Sequence, residues 1–395
     1  MSPPLTGLKL LDFTHLLPGE ICATLLGDLG ADVIRIEPMV PGLASRLPPI
    51  VNGESLYYWS IHRNKKRIAI DLKRDEGKEI AQRFLERADA LVENFRPGVM
   101  KRLGLGYAEA HRINPGIVYC SISGYGQDTS WDNKPGHDLN FIAESGVLDM
   151  TRALDGRPVL PGALISDYAA GMYGALAVVS TLFARFRTGK GRHVDISMFE
   201  SAASTQQIMA TALIYLGLTK EQIPFRYPSE IPQYTVYKCA DGRHLAIAPL
   251  EMPFWNKFCE KLGFTDLIDR AVNRADEHVS GRIAARIETR TLAEWLEIFE
   301  GSDCCVSPIN TISEALSSVP AQERNLLTYL EHPTLGAIPQ IANPMLNKQE
   351  RKHMCKPVAT SDNEALKALK ALGYSTKQLK NLCRDKVIEL RYATL

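Results

Sequence analysis

The sequence predicts an α/β fold: a large domain built around a parallel sheet, followed by a smaller α+β domain. Apolar runs alternate with helical patterns four times in the first ~125 residues, which is typical of parallel strands connected by covering helices. A proline-interrupted segment at 224–233 then marks a linker. After it, TVYKCADGRHLAIAP has the pattern of a β-hairpin with Ala-Asp-Gly in its turn. The large domain is therefore expected to be Rossmann-like, and the second domain to open with antiparallel strands.

Each element is predicted from a local pattern. LKLLDF is a strand, DVIRIEP is a strand closed by Pro38, and the helix between them ends at Gly30, with LPGE predicted as a turn before that helix. Further strands are predicted at 67–72, 90–95 and 117–126, and helices at 77–88, 202–218, 253–263 and 281–300. The C-terminal part is predicted to hold a strand at VSPINTI, strands and turns across 331–344, and helices in its last 35 residues.

The longest uncharged, small-residue segment runs from Tyr168 to Ala184 and is predicted as a helix that a glycine after Thr188 ends. Asp167 then precedes this helix. One interpretation is structural, because an aspartate there usually accepts backbone N–H bonds as an N-cap. The other is functional, because a helix N-terminus also stabilises a carboxylate or an oxyanion beside it. With 17 residues the segment is short for a membrane span, which needs about 20 apolar residues, so a buried helix is expected.

Composition narrows the function classes only slightly. The chain has 395 residues, of which 45% are hydrophobic and 23% charged, as in ordinary globular proteins with room for two domains. Its net charge of +1 argues against a general nucleic-acid binder. The first residues show no secretory signal, and the eight cysteines show no CxxC pair or metal-ligand spacing. Reduced thiols and a cytoplasmic location are the default expectation.

Two segments are candidates for binding a phosphorylated ligand. HRNKKR (62–67) is a cationic cluster leading into a predicted strand, and NFRPG (94–98) follows another strand, with Arg102 one turn beyond. Ligands of open α/β sheets lie beyond the carboxyl ends of strands, where NFRPG is placed. The alternative for HRNKKR is a solvated turn without function. LPGE is not a GxGxxG motif and FRTGKGR is not a P-loop, so neither standard nucleotide motif is present.

The motifs GHDLNFIAESGVL, ISDYAAG, RTGKG, ENFRPGVMKRLGLG, CADGRHLAIAPLE and SDCCVSPI span nearly the whole chain. In these motifs the sequence resembles the family III CoA-transferase (CaiB/BaiF) superfamily and is most similar to its α-methylacyl-CoA racemases. The resemblance implies a large Rossmann-like domain at 1–223, the linker at 224–233, a small domain at 234–328 and a return to the large domain at 329–395. It also implies an interlocked dimer, with each active site between the large domain of one subunit and the small domain of the other. A homodimer is expected, and a heteromer stays open.

The resemblance also assigns site residues. The racemase pattern places the catalytic pair on His137 and Asp167, with Glu251 beside His137. The CoA-contacting pattern falls on Ile70, Leu72, Lys73, Asn94, Phe95, Arg96, Arg102, Gly136 and Asp138, with backbone contacts between Gly136 and Phe141. CoA enters as part of the substrate, and neither a metal nor a tightly bound cofactor is implied. Two departures affect the acyl pocket: PSEIPQ (228–233) replaces a glycine-rich segment, and Tyr168-Ala169-Ala170 replaces the usual phenylalanine and glycines.

Three functions follow from these residues. As a racemase, the enzyme would use His137 and Asp167 to remove and return the α-proton of a 2-methylacyl-CoA thioester. Glu251 would orient the imidazole of His137. Backbone N–H groups at the start of the helix after Asp167 would stabilise the enolate. As a CoA-transferase, it would use Asp167 as a nucleophile, giving an anhydride and then an enzyme-bound thioester. The GHD motif favours the racemase, because transfer needs no base at His137. The third hypothesis is a CoA-binding subunit of a heteromeric transferase.

Overall fold

The computed structural model describes residues 3–153, 156–219, 222, 231–270 and 275–390. Of the predicted linker, 224–230 lie outside these residues, as do the last five residues of the predicted C-terminal part. The chain divides into two compact units. The large unit holds residues up to 147, 161–205 and the chain from 318, and the small unit holds 148–160 and 206–317.

The strands of the first part of the chain are β1 (Lys9–Asp12), β2 (Asp32–Glu37), β3 (Ile50–Val51), β4 (Glu54–Ser55), β5 (Lys65–Ile70), β6 (Ala90–Glu93), β7 (Val118–Ser123) and β8 (His193–Ser197). The helices of this part are α1 (Leu17–Asp28), α2 (Leu56–Ile61), α3 (Asp75–Leu85), α4 (Val99–Arg102), α5 (Tyr107–Ile113), α6 (Asp138–Glu144), α7 (Val147–Met150), α8 (Ile165–Thr188) and α9 (Met198–Ser204). The small unit continues with α10 (Gln207–Leu216), β9 (Thr235–Lys238), β10 (His244–Ile247), α11 (Met252–Leu262), α12 (Glu277–Ile287), α13 (Leu292–Phe299), β11 (Val306–Pro308) and α14 (Ile312–Ser317). The chain ends with α15 (Val319–Glu323), β12 (Leu327–His332), β13 (Gly336–Ile341), α16 (Lys348–Arg351), α17 (Val358–Ala371), α18 (Thr376–Arg384) and β14 (Ile388–Glu389).

The large unit is organised around a seven-stranded sheet in the order β14-β5-β2-β1-β6-β7-β8. All neighbouring strands are parallel except β14, which pairs antiparallel with β5. Without β14 this is the Rossmann order, so the predicted α/β class with a parallel sheet is confirmed. The sequence shows no signal for β14, because two residues at an edge carry no periodicity.

Helices cover both faces of this sheet, as the nearly continuous apolar strands require. On one face α3, α5 and the C-terminal helices α17 and α18 share a buried core with the strands. On the other face the core is formed with α1 and α8. The small unit has its own core around Trp255, Phe258 and Trp295, against the antiparallel sheet β11-β10-β9.

Several predicted boundaries differ from the structure. The predicted helix 202–218 is two helices, α9 and α10, and 281–300 is also two, because Thr291 caps a new helix by accepting the N–H of Glu294. LPGE is the first turn of α1 rather than a turn before it, since Pro18 fits an early helical position. The units divide at 205/206 and 317/318, whereas the predicted domain boundaries lie at 223 and 328. Helix α10 buries no side chain, and the contacts assign it to the small unit.

Helix α8 is longer than the predicted segment 168–184. It is the one described helix that is long and apolar enough to cross a membrane, and 44% of its most apolar stretch is buried. The buried side chains belong to the core shared with α1 and β7, so the prediction of a buried helix holds for this face. The opposite face is apolar and exposed: Leu176 is 64%, Phe183 64% and Phe186 77% exposed.

Candidate active site

A cavity of about 710 Å³ lies where the strand order of the large sheet reverses. The strands β2 and β5 follow on one side of β1, and β7 and β8 follow on the other side of β6. Segments at the carboxyl ends of three strands line the cavity: 16–18 after β1, 94–97 after β6 and 122–124 at the end of β7. Every lining residue belongs to the large unit. The position is the one at which open parallel sheets bind ligands.

The cavity brings together seven of the residues that the sequence singles out. They are Asn94, Phe95, Arg96, Gly136, His137, Asp138 and Asp167. His137 and Asp167, the racemase-type pair, thus border one cavity although they are distant along the chain.

Four predicted CoA contacts do not line this cavity. The side chain of Ile70 is 2% exposed and belongs to the core of the sheet, so a ligand could reach only its backbone. Leu72 packs against the same core. Lys73 and Arg102 are exposed. Roles for these residues in CoA binding remain predictions.

Glu251 belongs to the small unit, where it precedes the first turn of α11 and is exposed. Its side chain makes no cap hydrogen bond to that helix. Its pairing with His137 therefore remains a prediction.

Asp167 lies inside the first turn of α8, not before it. The helix begins at Ile165 with Leu164 in the cap position, so the prediction that Asp167 caps the helix is wrong. Burial raises the pKa of Asp167 to about 7, and the neighbouring charges of Asp138 and Glu20 raise it as well. The result is a carboxyl group that is about half ionised at neutral pH.

The carboxylate that accepts the free N–H groups of α8 is that of Asp138. Its Oδ1 atom accepts the backbone N–H of Ser166 at 2.7 Å, the hydroxyl of Ser166 at 2.7 Å and the backbone N–H of Asp167 at 3.2 Å. Asp138 is itself buried, in the first turn of α6. Its side chain therefore positions Asp167, and a CoA contact at Asp138 remains a prediction.

The same hydrogen bonds overturn one prediction about the chemistry. The N–H groups at the start of the helix were expected to stabilise an enolate oxygen. Those of Ser166 and Asp167 are bonded to Asp138, and that of Tyr168 donates to the carbonyl of Leu164 at 3.1 Å. These three donors are not available to a substrate.

Close packing of α8 on α1 fixes the position of Asp167 relative to α1. A Cβ atom on Gly171 would lie 2.7 Å from Ile21 Cγ2 and 2.8 Å from the carbonyl oxygen of Pro18. Only glycine permits this approach. Because Gly171 is one turn after Asp167, the contact also holds the start of α8 beside the cavity-lining segment 16–18.

A second set of hydrogen bonds joins the segments after β1 and β6. Asn94 Oδ1 accepts the backbone N–H of His15 at 2.8 Å, and Asn94 Nδ2 donates to the carbonyl of Leu16 at 3.1 Å. The ring of Phe95 meets that of His15 edge-on with centroids 4.5 Å apart. These contacts leave Arg96 exposed and without an ion-pair partner among the described residues.

His137 immediately precedes α6 and is exposed. Its backbone N–H donates to Asn140 Oδ1 at 3.0 Å, which fixes the turn, and the residue lines the cavity.

The basic segment 62–67 is neither a phosphate site nor a solvated turn. Arg63 is buried and forms a two-pronged contact with Asp28, at 2.9 and 2.7 Å. Lys65 is 1% exposed, with its ammonium 3.1 Å from Asp12. Carboxylates elsewhere in the chain neutralise these cations, which a local reading of the charge run cannot reveal.

Sequence reasoning missed several polar residues of the cavity, among them Tyr57 and Lys134. Burial raises the pKa of Tyr57, as do the charges of Glu20 and Asp167, so its hydroxyl remains a neutral donor. Lys134 lies 2.5 Å from Glu144 and over the ring of Trp131 at 3.8 Å. No local motif marks either residue. The segment 16–18 could have been found, since it follows a parallel strand as NFRPG does.

Comparison with known proteins identifies the family. The model of CoA-transferase family III matches residues 5–360. The chain belongs to CoA-transferase family III. It is 34% identical to succinyl-CoA:glutarate CoA-transferase of Mus musculus over 94% of this chain and 90% of that protein. It is 31% identical to α-methylacyl-CoA racemase of Mus musculus over 98% of this chain and 97% of that protein.

Solved structures agree with the fold. A CaiB/BaiF family protein from Brucella suis superposes with a TM-score of 0.77 at 26% identity, covering 88% of this chain and 93% of that chain. The chain is therefore an enzyme of family III, a CoA-transferase or an acyl-CoA racemase, and acyl-CoA substrates fit its family. Within the residues described, no cluster of three or more His, Cys, Asp or Glu side chains could hold a metal ion.

Proposed function

We propose that the enzyme transfers CoA from an acyl-CoA to a second carboxylic acid, with Asp167 as the nucleophile. The observation that carries the proposal is the partly buried carboxyl group of Asp167 at the cavity, with its pKa raised to about 7. A carboxylate of raised pKa is more basic, and hence a better nucleophile, than an exposed aspartate. The GHD motif predicts a racemase, but the transferase relative matches at the higher identity, so we place transfer first.

The transfer proceeds through two kinds of enzyme-bound species. An Asp167 oxygen attacks the thioester carbon, the C–S bond breaks, and an acyl anhydride and CoA thiolate form. The thiolate attacks the Asp167 carbonyl and releases the first acid, which leaves CoA bound to Asp167 as a thioester. The second acid attacks that thioester to form a new anhydride, and the thiolate then takes the new acyl group, which regenerates Asp167.

The class of acyl group that we propose is dicarboxylic. Lys134 lines the cavity beside Glu144, so a second carboxylate would share this cation with Glu144. Apolar side chains that also line the cavity would contact the carbon chain: Leu17, Ile122, Phe141 and Met198. The neutral hydroxyl of Tyr57 offers a hydrogen bond to a carbonyl oxygen, in place of the helix N–H groups.

The second candidate is α-proton exchange by a racemase. It is favoured by one observation, that an imidazole and a carboxyl of raised pKa border the same cavity. With a pKa near 7, Asp167 would match an imidazole as a proton donor and acceptor.

Two assays on the same protein separate these functions. We expect succinyl-CoA and glutarate to yield glutaryl-CoA, with no deuterium entering the α-position in deuterated water. His137→Ala should retain transfer, and Asp167→Asn should abolish it. The transferase proposal is wrong if a 2-methylacyl-CoA gains α-deuterium with inversion while no acid accepts CoA.

We also propose that the active enzyme is an interlocked homodimer. The exposed apolar face of α8 supports this, because an apolar strip of this kind usually marks a contact surface. Light scattering of the purified protein should give twice the chain mass, and Leu176→Asp should give monomer. A second, different chain in the purified active enzyme would instead support a heteromer.

A further inference from the structure

Glu93 is a buried carboxyl group that the proposed chemistry does not use. It ends β6 and is 4% exposed. Its Oε2 atom accepts the backbone N–H of Phe95 at 2.9 Å. Phe95 and Arg96 both line the cavity. Glu93 therefore lies directly behind one part of the cavity wall.

Glu93 differs in its partners from buried carboxylates such as Asp12 and Asp28. Asp12 and Asp28 each contact a buried lysine or arginine. Among the described residues Glu93 has no such cation, and it accepts hydrogen bonds from two neutral donors, the N–H of Phe95 and the hydroxyl of Ser121. An uncompensated buried carboxylate is costly, which is why such groups usually have a functional explanation.

The charge state of Glu93 is balanced near neutral pH. Burial raises its pKa to about 7, the charge of Asp195 also raises it, and the hydrogen bonds from Ser121 and Phe95 oppose the rise. The other titratable groups that act on Glu93 from β7 are neutral, since burial raises the pKa of Tyr119, and hydrogen bonding and burial raise that of Cys120.

A hydrogen-bonded chain continues from Ser121 to β8. Ser121 Oγ lies 2.9 Å from His193 Nε2, and the His193 ring stacks on Tyr107 with centroids 5.0 Å apart. Burial lowers the pKa of His193, so its ring is neutral. The ionised carboxylate accepts both hydrogen bonds, from Ser121 and from the N–H of Phe95, whereas protonation turns one of its two oxygens into an O–H donor.

We propose that Glu93 is a positioning residue for acyl-CoA: its ionised carboxylate holds the turn at Phe95 so that Arg96 faces the anionic part of the ligand. Protonation weakens the bond to the Phe95 N–H, and the turn relaxes. Affinity for the CoA portion therefore falls as the pH falls through about 7, while the chemistry at Asp167 is untouched. The inference rests on the proposed function only in taking acyl-CoA as the ligand.

Calorimetric binding of CoA itself, between about pH 6 and pH 8, tests this without turnover. We expect the affinity of the full-length protein for CoA to be about tenfold lower at about pH 6 than at about pH 8. This difference is in addition to the change due to the ligand phosphate, which titrates near pH 6. Glu93→Gln supplies that baseline, because it should bind CoA weakly and lack the protein's own pH step. At pH 7, CoA should release protons from the wild-type protein but not from Glu93→Gln.

Two further variants should shift the midpoint of the pH step in CoA affinity in opposite directions. Ser121→Ala removes a hydrogen bond to the carboxylate and should move the pH step upward. Asp195→Asn removes a like charge and should move the step downward. If Glu93→Gln binds CoA with the wild-type affinity and pH step, the proposal is wrong. If Glu93→Gln does not fold, the shifts in the other two variants decide, and unchanged steps in both refute the proposal.

The proposed transfer reaction can fail separately. Asp167→Asn should show the wild-type pH dependence of CoA affinity, whether or not Asp167 is a nucleophile. If this variant lacks the pH dependence, the result counts against Glu93 acting alone. It does not count against CoA transfer.

Discussion

Replacing Asp138 by asparagine tests how the first turn of α8 tunes Asp167. The substitution keeps an oxygen acceptor for the N–H groups of Ser166 and Asp167 and removes only the charge. The position of Asp167 should therefore be retained. Asp138→Ala, in contrast, removes the acceptor of three hydrogen bonds and should lower the free energy of unfolding by about 3 kcal/mol.

The expected shift follows from the charges. After burial, the charge of Asp138 is the largest effect that raises the pKa of Asp167 to about 7. In general, a unit charge within about 6 Å of a carboxyl group contributes about 3 kcal/mol at an effective dielectric constant of about 20, or about two pKa units. Asp167 is only partly buried, so solvent screening reduces the expected effect of Asp138→Asn to a decrease of about one unit.

The assay is the pH dependence of kcat for CoA transfer at saturating acyl-CoA, so that the effect of Glu93 on affinity does not contribute. The nucleophile must be ionised, so activity falls on the acid side as Asp167 is protonated. The midpoint of this acid limb should lie near 7 in the wild-type enzyme and about one unit lower in Asp138→Asn. Asp132→Asn is the matched control, because Asp132 lines the cavity but does not act on the pKa of Asp167. An unchanged or higher midpoint in Asp138→Asn would refute the reasoning.

Three further predictions concern the packing of helices, a buried ion pair and the effect of ionised Asp167 on the free energy of unfolding. Gly171→Ala should destabilise the protein and reduce activity, because its Cβ meets α1, whereas Gly281→Ala, in open space on α12, should raise the free energy of unfolding by about 0.5–1 kcal/mol; thermal unfolding measures both. Arg63→Ala should cost about 3–5 kcal/mol and Arg112→Ala, at an exposed ion pair with Glu109, far less, as denaturant titration would show; equal costs would contradict the buried pairing. Asp167→Asn should be inactive yet more stable by about 2 kcal/mol at pH 8, and the gain should vanish near pH 4, because a raised folded-state pKa makes ionisation above about 7 destabilising. A constant gain at both pH values would contradict that assignment.

The periodicity of apolar residues was sufficient to predict most of the strands and helices of the large unit. Alternating apolar strands and helices predict the parallel sheet, and the rule for carboxyl ends places NFRPG at the ligand site. Interruptions were harder to predict. The breaks between α9 and α10 and between α12 and α13 depend on one or two residues inside an apolar pattern that remains helical throughout.

The candidate site could be predicted only where one residue carries the signal. His137 and Asp167 were singled out as a pair and border one cavity. The basic segment 62–67 misled, because its carboxylate partners, such as Asp28, lie in other elements. The role of Asp138 was also hidden, since its hydrogen bonds join the starts of two helices that are distant in sequence.

The most direct test of the central claim is to look for acyl or CoA chemistry on Asp167. The enzyme is incubated with succinyl-CoA, quenched with hydroxylamine and digested, and its peptides are analysed by mass spectrometry. We expect a hydroxamate on Asp167 that requires succinyl-CoA and is missing in Asp167→Asn. Rapid CoA transfer with Asp167 unmodified would contradict the account.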